Sequence, residues 1–307
     1  MPSVGTLVRA LRAPSLTAGA MPVLSVTALL VHEGAAVSGL TFCLTLLGML
    51  AAQGAVNLVN DYFDDASGLD ADPEFAKTPF PLGSRVIQSG ALSKRGVAVF
   101  ATVCGAVAVA CGLWLNLRAP GNTLLWICLA AAALGYFYTA PPLRIAYHGA
   151  GEPVTFLLFG PLAGAGTHWA QTGQVTPACL VVSTVVGLLA MAILYMHHFP
   201  QHDADKRHGK RTPVVRLGPS GAGRLVPVLL ALPYAVLGYG ILAGMLPPAA
   251  WLFFLSLPFG VLASQIALRT PADARRMTQA FANVFLLHFS GGLALTASLF
   301  FTRLAGS

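Results

Sequence analysis

The sequence predicts an all-α fold, a polytopic membrane helical bundle of about nine transmembrane helices around a central apolar cavity, in a single domain over 1–307. Three observations carry that prediction. Hydrophobic residues make up 56% of the chain and charged residues 9%, with a mean hydropathy of +0.71, whereas soluble domains carry about 25% charged residues. The apolar residues collect into runs close to the ~20 residues that cross a hydrocarbon core. The basic residues between those runs fall almost wholly on one side.

Nine runs are expected to span, near 14–32, 38–60, 95–116, 122–139, 150–171, 176–198, 223–245, 247–268 and 279–302. Arg9 and Arg12 precede the first, which is long enough to remain as a span, so no separate signal peptide is expected, although Ala18-Gly19-Ala20 resembles a weak cleavage site. The second run ends in Asn60-Asp61-Tyr62-Phe63-Asp64-Asp65. Pro141-Pro142 closes the fourth and fixes Arg144 at the membrane surface. Pro161, Pro233 and Pro258 lie inside spans, where neighbouring helices satisfy the freed carbonyls. The small residues from Gly160 to Gly166 read as a close helix contact. All five cysteines sit in apolar runs without metal-ligand spacing and read as buried free thiols.

With an N-terminus on the cytoplasmic side of an inner membrane, sixteen Lys and Arg residues fall inside and only Arg118 and Arg303 outside. The net charge of +7 therefore expresses topology, and no nucleic-acid partner is required. The inner loops 61–94 and 199–222 are long and hold eight of the eleven acids. Long ordered loops are usually functional. Each follows an even-numbered span, a weak hint of a repeated hairpin unit.

Asp61, Asp64, Asp65, Asp70, Asp72 and Glu74 lie within fourteen positions. On a helix continuing to about residue 65, Asn57, Asp61 and Asp64 share one face, and Asn60 stacks on Asp64. The face offers oxygen ligands alone, which suits Mg2+ completed by phosphate and water and not zinc. Acids at a helix C-terminus oppose the macrodipole, so a merely solvated end explains them poorly. The second loop runs from His197-His198 through Gln201, His202, Asp203 and Asp205 to Lys206, Lys210 and Arg211. Asp203 and Asp205 are candidate oxygen ligands, and the bases suit a diphosphate, although several also serve as topology anchors. Tyr136 and Tyr138 fit either an interfacial belt or the wall of a cation site. Glu152 fits a proton acceptor, a residue near the metal, or a partner for Arg144.

Together these blocks resemble the UbiA superfamily of intramembrane prenyltransferases, and within it the 1,4-dihydroxy-2-naphthoate polyprenyltransferase branch. Asn60, Asp61, Asp64 and Asp70 match the first motif, Asn-Asp-x-x-Asp with a further Asp. The blocks 83–90, Tyr138 to Arg144 and Gly209 to Gly218 extend the likeness over nearly the whole chain. The second motif, Asp-x-x-x-Asp, places Gln201 at its first Asp and Asp205 at its second, a departure that weakens or alters that metal site. The resemblance implies Mg2+-dependent transfer of a prenyl group from a polyprenyl diphosphate to an aromatic acceptor within the lipid bilayer.

The resemblance puts metal on Asp61, Asp64, Asp70 and Asp205, with Asn60 beside them in the catalytic set, and Asp203 is the candidate ligand to stand in for the acid that Gln201 replaces. Arg85, Arg144, Lys210 and Arg211 would contact diphosphate, Gln201 and Tyr138 would contact substrate, and Arg12 would sit near the acceptor. Two rivals remain at this point: the same fold with another acceptor or with terpene cyclisation, and an ion-coupled transporter. The transporter predicts ionisable residues at mid-span, whereas here they cluster at the cytoplasmic ends, with His168 and His288 the main exceptions.

Overall fold

A computed structural model describes residues 2–72 and 83–305, and all regular structure in them is helical. Glu74 and Lys77 lie outside the described residues. In chain order the α-helices are α1 (Val4–Ala10), α2 (Thr17–His32), α3 (Gly39–Ser67), α4 (Lys94–Arg118), α5 (Thr123–Tyr136), α6 (Gly151–Leu157) and α7 (Ala163–Thr172). They continue with α8 (Pro177–His197), α9 (His202–Arg207), α10 (Pro213–Leu242), α11 (Leu257–Arg269) and α12 (Ala274–Ala305).

Seven stretches among the described residues are helical, long and apolar enough to cross a membrane. They correspond to all the expected spans except the fourth and fifth, so the expected count of about nine is not met by length. The fourth, α5, has 14 residues. The fifth is broken: α6 and α7 are joined by a π-helical turn, Leu158–Leu162, in which Gly160 leaves helical geometry (φ −115°, ψ −106°) ahead of Pro161. The break has a packing reason. A Cβ on Gly160 would lie 2.9 Å from the Gly187 Cα on α8, and one on Gly187 would lie 2.7 Å from the Gly160 Cα. Two helix backbones thus touch there, as the small residues from Gly160 to Gly166 anticipate.

Helix ends follow local chemistry. Ser38 caps α3 by accepting from the Thr41 amide, and the helix runs on through the carboxylate motif to Gly68, whose left-handed backbone (φ 77°) closes it. The Thr212 side chain accepts from the Val215 amide, with Pro213 in the first turn, so α10 begins ten residues before the expected span. With α9, two thirds of the second loop is therefore helical.

The packed core lies on one side, where α2, α8, α10, the 3-10 stretch Pro248–Ser256, α11 and α12 bury Leu29, Leu189, Leu237, Phe253, Ala263 and Leu287. On the other side α3 packs on α4, but both carry exposed apolar residues such as Leu47, Val103 and Val109. That surface suits lipid, and the protein is a multi-pass membrane protein. Between the two halves the bundle is hollow.

Candidate active site

The hollow is an apolar cavity of about 1460 Å³. Its polar end carries Arg12, Asn57, Asn60, Tyr138, His197, His198 and Lys210, and its depth reaches Leu44, Gly48, Cys111 and Cys128. From Asn60 back to Leu44 is about 24 Å of helix at 1.5 Å per residue. A small polar pocket of about 20 Å³ adjoins it, lined by Arg12, Asn60, Asp64, Leu69, Asp70, His197, Gln201 and Lys210. Arg12, Asn60, His197 and Lys210 face both spaces. Residues as far apart in the chain as Arg12 and Lys210 thus meet at one mouth.

Because α3 stays helical to Ser67, Asn60 and Asp64 fall on its pocket face. Asp64 is buried and its Oδ1 accepts from the Tyr147 hydroxyl at 2.7 Å, while the same hydroxyl pairs with Ser67 Oγ at 2.9 Å. Burial, and then the Asp64 charge, pushes the Tyr147 phenol up to about 12, so it stays a donor at neutral pH. Asp70 follows the Gly68 turn and is 3% exposed, with Oδ2 lacking any hydrogen-bond partner among the described residues. Burial first, then the Asp64 carboxylate, pushes Asp70 up to about 7 against the opposing pull of Arg12. Asn60 Oδ1 is likewise buried and unpartnered. Such atoms want a cation or a donor.

Asp61 differs from its neighbours. One oxygen pairs with the Arg12 guanidinium and the other accepts from the Ser84 hydroxyl. It does not line the polar pocket, so its observed part is to hold Arg12 there. Asn57 donates to Leu11 O and Ser15 Oγ, and so ties α3 to the α1–α2 junction. Asp65 and Asp72 are engaged elsewhere, with Lys94 at 3.0 Å and with Arg207 at 2.9 Å.

From the second loop, Gln201 is 2% exposed and reaches the pocket, its Nε2 3.5 Å from His197 Nε2. Asp205 is fully buried, 3.5 Å from His198 Nδ1 and 3.9 Å from Lys210 Nζ, and lines neither space. His198 Nε2 is also 3.4 Å from Glu152, so this acid partners His198, whereas Arg144 stacks on the Tyr147 ring at 3.8 Å. Burial opposes the Lys210 charge, yet Asp205 and Asp64 hold its pKa above the ordinary lysine value.

One expected ligand is corrected. Asp203 points to solvent, its side chain 66% exposed, and accepts from His202 Nδ1 at 2.7 Å. On α9, two positions turn a side chain by about 200°, so Asp203 and Asp205 face opposite ways. Arg85, Arg144 and the exposed Arg211 also line neither space. Arg12, Arg85 and Arg144 nevertheless share a left-handed backbone (φ 54°, 51° and 40°), unusual for side chains that gain nothing from it. Tyr138 walls the cavity. Sequence reading missed Ser84 and Tyr147, which hold the two motif carboxylates, and the Glu152–His198–Asp205 chain. Nothing in the spacing of these residues marks them.

No three His, Cys, Asp or Glu side chains among the described residues converge as a closed metal cage. The open oxygen set of Asn60, Asp64 and Asp70 fits Mg2+, which keeps water and phosphate among its ligands.

A model of the UbiA prenyltransferase family matches residues 20–289. A 2-carboxy-1,4-naphthoquinone phytyltransferase of Synechocystis sp. is 26% identical over 94% of this chain and 91% of its own length. A 1,4-dihydroxy-2-naphthoate octaprenyltransferase of Bacillus subtilis is 28% identical over 83% of this chain and 80% of its own. A solved UbiA homologue from Archaeoglobus fulgidus, bound to GPP and Mg2+, superposes with a TM-score of 0.62 at 17% identity, covering 95% of this chain and 99% of that one.

Proposed function

The chain belongs to the UbiA prenyltransferase family, and from that premise we propose that it transfers a polyprenyl group from its diphosphate to 1,4-dihydroxy-2-naphthoate. The observation that carries this reading is the polar pocket, built by both loops at the mouth of a long apolar cavity. The names of the Synechocystis and B. subtilis relatives support a naphthoate-type acceptor, and the GPP and Mg2+ bound to the A. fulgidus protein support the donor and the ion.

Asn60, Asp64 and Asp70 would hold Mg2+, which when bound neutralises charge on the leaving diphosphate. Arg12 and Lys210, both directed at the pocket by buried carboxylates, bind and orient the diphosphate. Gln201 and His197 complete its surroundings as polar groups. The apolar cavity takes the prenyl tail and keeps water from the allylic cation, and Tyr138 presents a π face toward it. The sixteen-to-two basic bias supports a pocket on the cytoplasmic side of the inner membrane.

Purified protein in lipid, given Mg2+, prenyl diphosphates of several lengths and a panel of aromatic acceptors, should yield prenylated naphthoate by mass spectrometry. Diphosphate release without any prenylated acceptor would favour cyclisation instead. No Mg2+-dependent turnover with any donor would refute the proposal.

A further inference from the structure

We infer that this chain by itself holds one divalent cation, on Asn60, Asp64 and Asp70, and that Lys210 supplies the charge a second protein-held cation would bring; this rests on the diphosphate reading above. The charges at the mouth sort into pairs. Asp61 is matched by Arg12, and Asp205 lies 3.9 Å from Lys210 and 3.5 Å from His198. Among the described residues, the carboxylates that line the polar pocket are Asp64, which accepts from the neutral Tyr147 hydroxyl, and Asp70, one oxygen of which has no hydrogen-bond partner. Two carboxylates facing one pocket without an ion pair of their own suit one divalent ion. The Asp70 oxygen without a partner lies in a residue 3% exposed that lines the pocket, so the ligand it lacks belongs there.

The opposite half offers a second ion little. Gln201 is neutral, Asp203 faces solvent, and Asp205 is enclosed between Lys210 and His198 and lines neither space. A second dication would also stand against the Lys210 ammonium, with which it would have to share the Asp205 carboxylate. Lys210 reaches both spaces without dehydrating an ion, and its backbone amide is pinned to Asp205 O at 2.8 Å.

Counting bound Mn2+ by electron paramagnetic resonance on the full chain in detergent, without substrate, tests this. Wild type should bind one tight Mn2+ per chain. Asp70→Asn should weaken it at least tenfold, and Asp205→Asn should leave the count at one. Lys210→Gln, which frees Asp205, should raise the count to two. Two tight ions in wild type, loss of one in Asp205→Asn, or an unchanged count in Lys210→Gln would each overturn the inference. The count and the reaction fail separately. An active enzyme with two tight ions would sink only the single-ion site, and a chain with one ion and no prenyl transfer would sink only the function.

Discussion

Tyr147→Phe is the perturbation most sharply defined by the structure. The change removes one oxygen and keeps the ring, so the Arg144 guanidinium at 3.8 Å and the Lys210 ammonium at 5.6 Å retain their aromatic partner. Ser67 Oγ keeps its bond to Asp64 O at 2.9 Å, so no new buried donor is stranded. What disappears is the 2.7 Å bond into Asp64 Oδ1. A hydrogen bond to a charged group contributes about 1.5–3 kcal/mol, and 1.4 kcal/mol is tenfold. A partner that orients a metal-binding carboxylate therefore costs roughly 10- to 100-fold in metal affinity when removed. The Mg2+ concentration for half-maximal prenyl transfer should rise by that factor, while turnover at saturating Mg2+ falls less than fivefold. Prenyl transfer with an unshifted Mg2+ requirement would refute the role given to Tyr147. An equal loss at every Mg2+ concentration would refute it too.

Three further outcomes are expected. Arg12→Gln leaves Asp61, 2% exposed, with only Ser84 and should destabilise the fold by about 3–5 kcal/mol. Adding Asp61→Asn should restore more than half of that, read as non-additivity in a double-mutant cycle of unfolding. Gly105 lines the cavity with nothing within 4 Å of an added Cβ, so Gly105→Trp should fold, keep transfer from geranyl diphosphate within about threefold, and lose tenfold or more with donors of four or more isoprene units. Equal losses for short and long donors would place the prenyl tail elsewhere. Asp203→Asn, at an exposed side chain, should alter the rate less than twofold, and a hundredfold loss would return Asp203 to the site.

Much of this protein is legible from residue order alone. Span periodicity and charge asymmetry reflect the cost of unpaired backbone and buried charge in lipid, and each acts through composition over about twenty residues. The helix carrying Asn60 and Asp64 is legible for the same reason, since their spacing is a helical spacing. Tertiary structure decided which polar atoms stay unpaired, and that follows from packing between segments distant in sequence. Asp61 looks like Asp64 in the motif, yet Arg12, 49 positions away, occupies it. Asp203 and Asp205 look alike in the loop, yet the turn of α9 sends one to solvent and buries the other against Lys210 and His198. The acids were written in the sequence; their charge balance, and so the number of metal ions they suit, arises only where the segments carrying Arg12, Asp64 and Lys210 line one pocket.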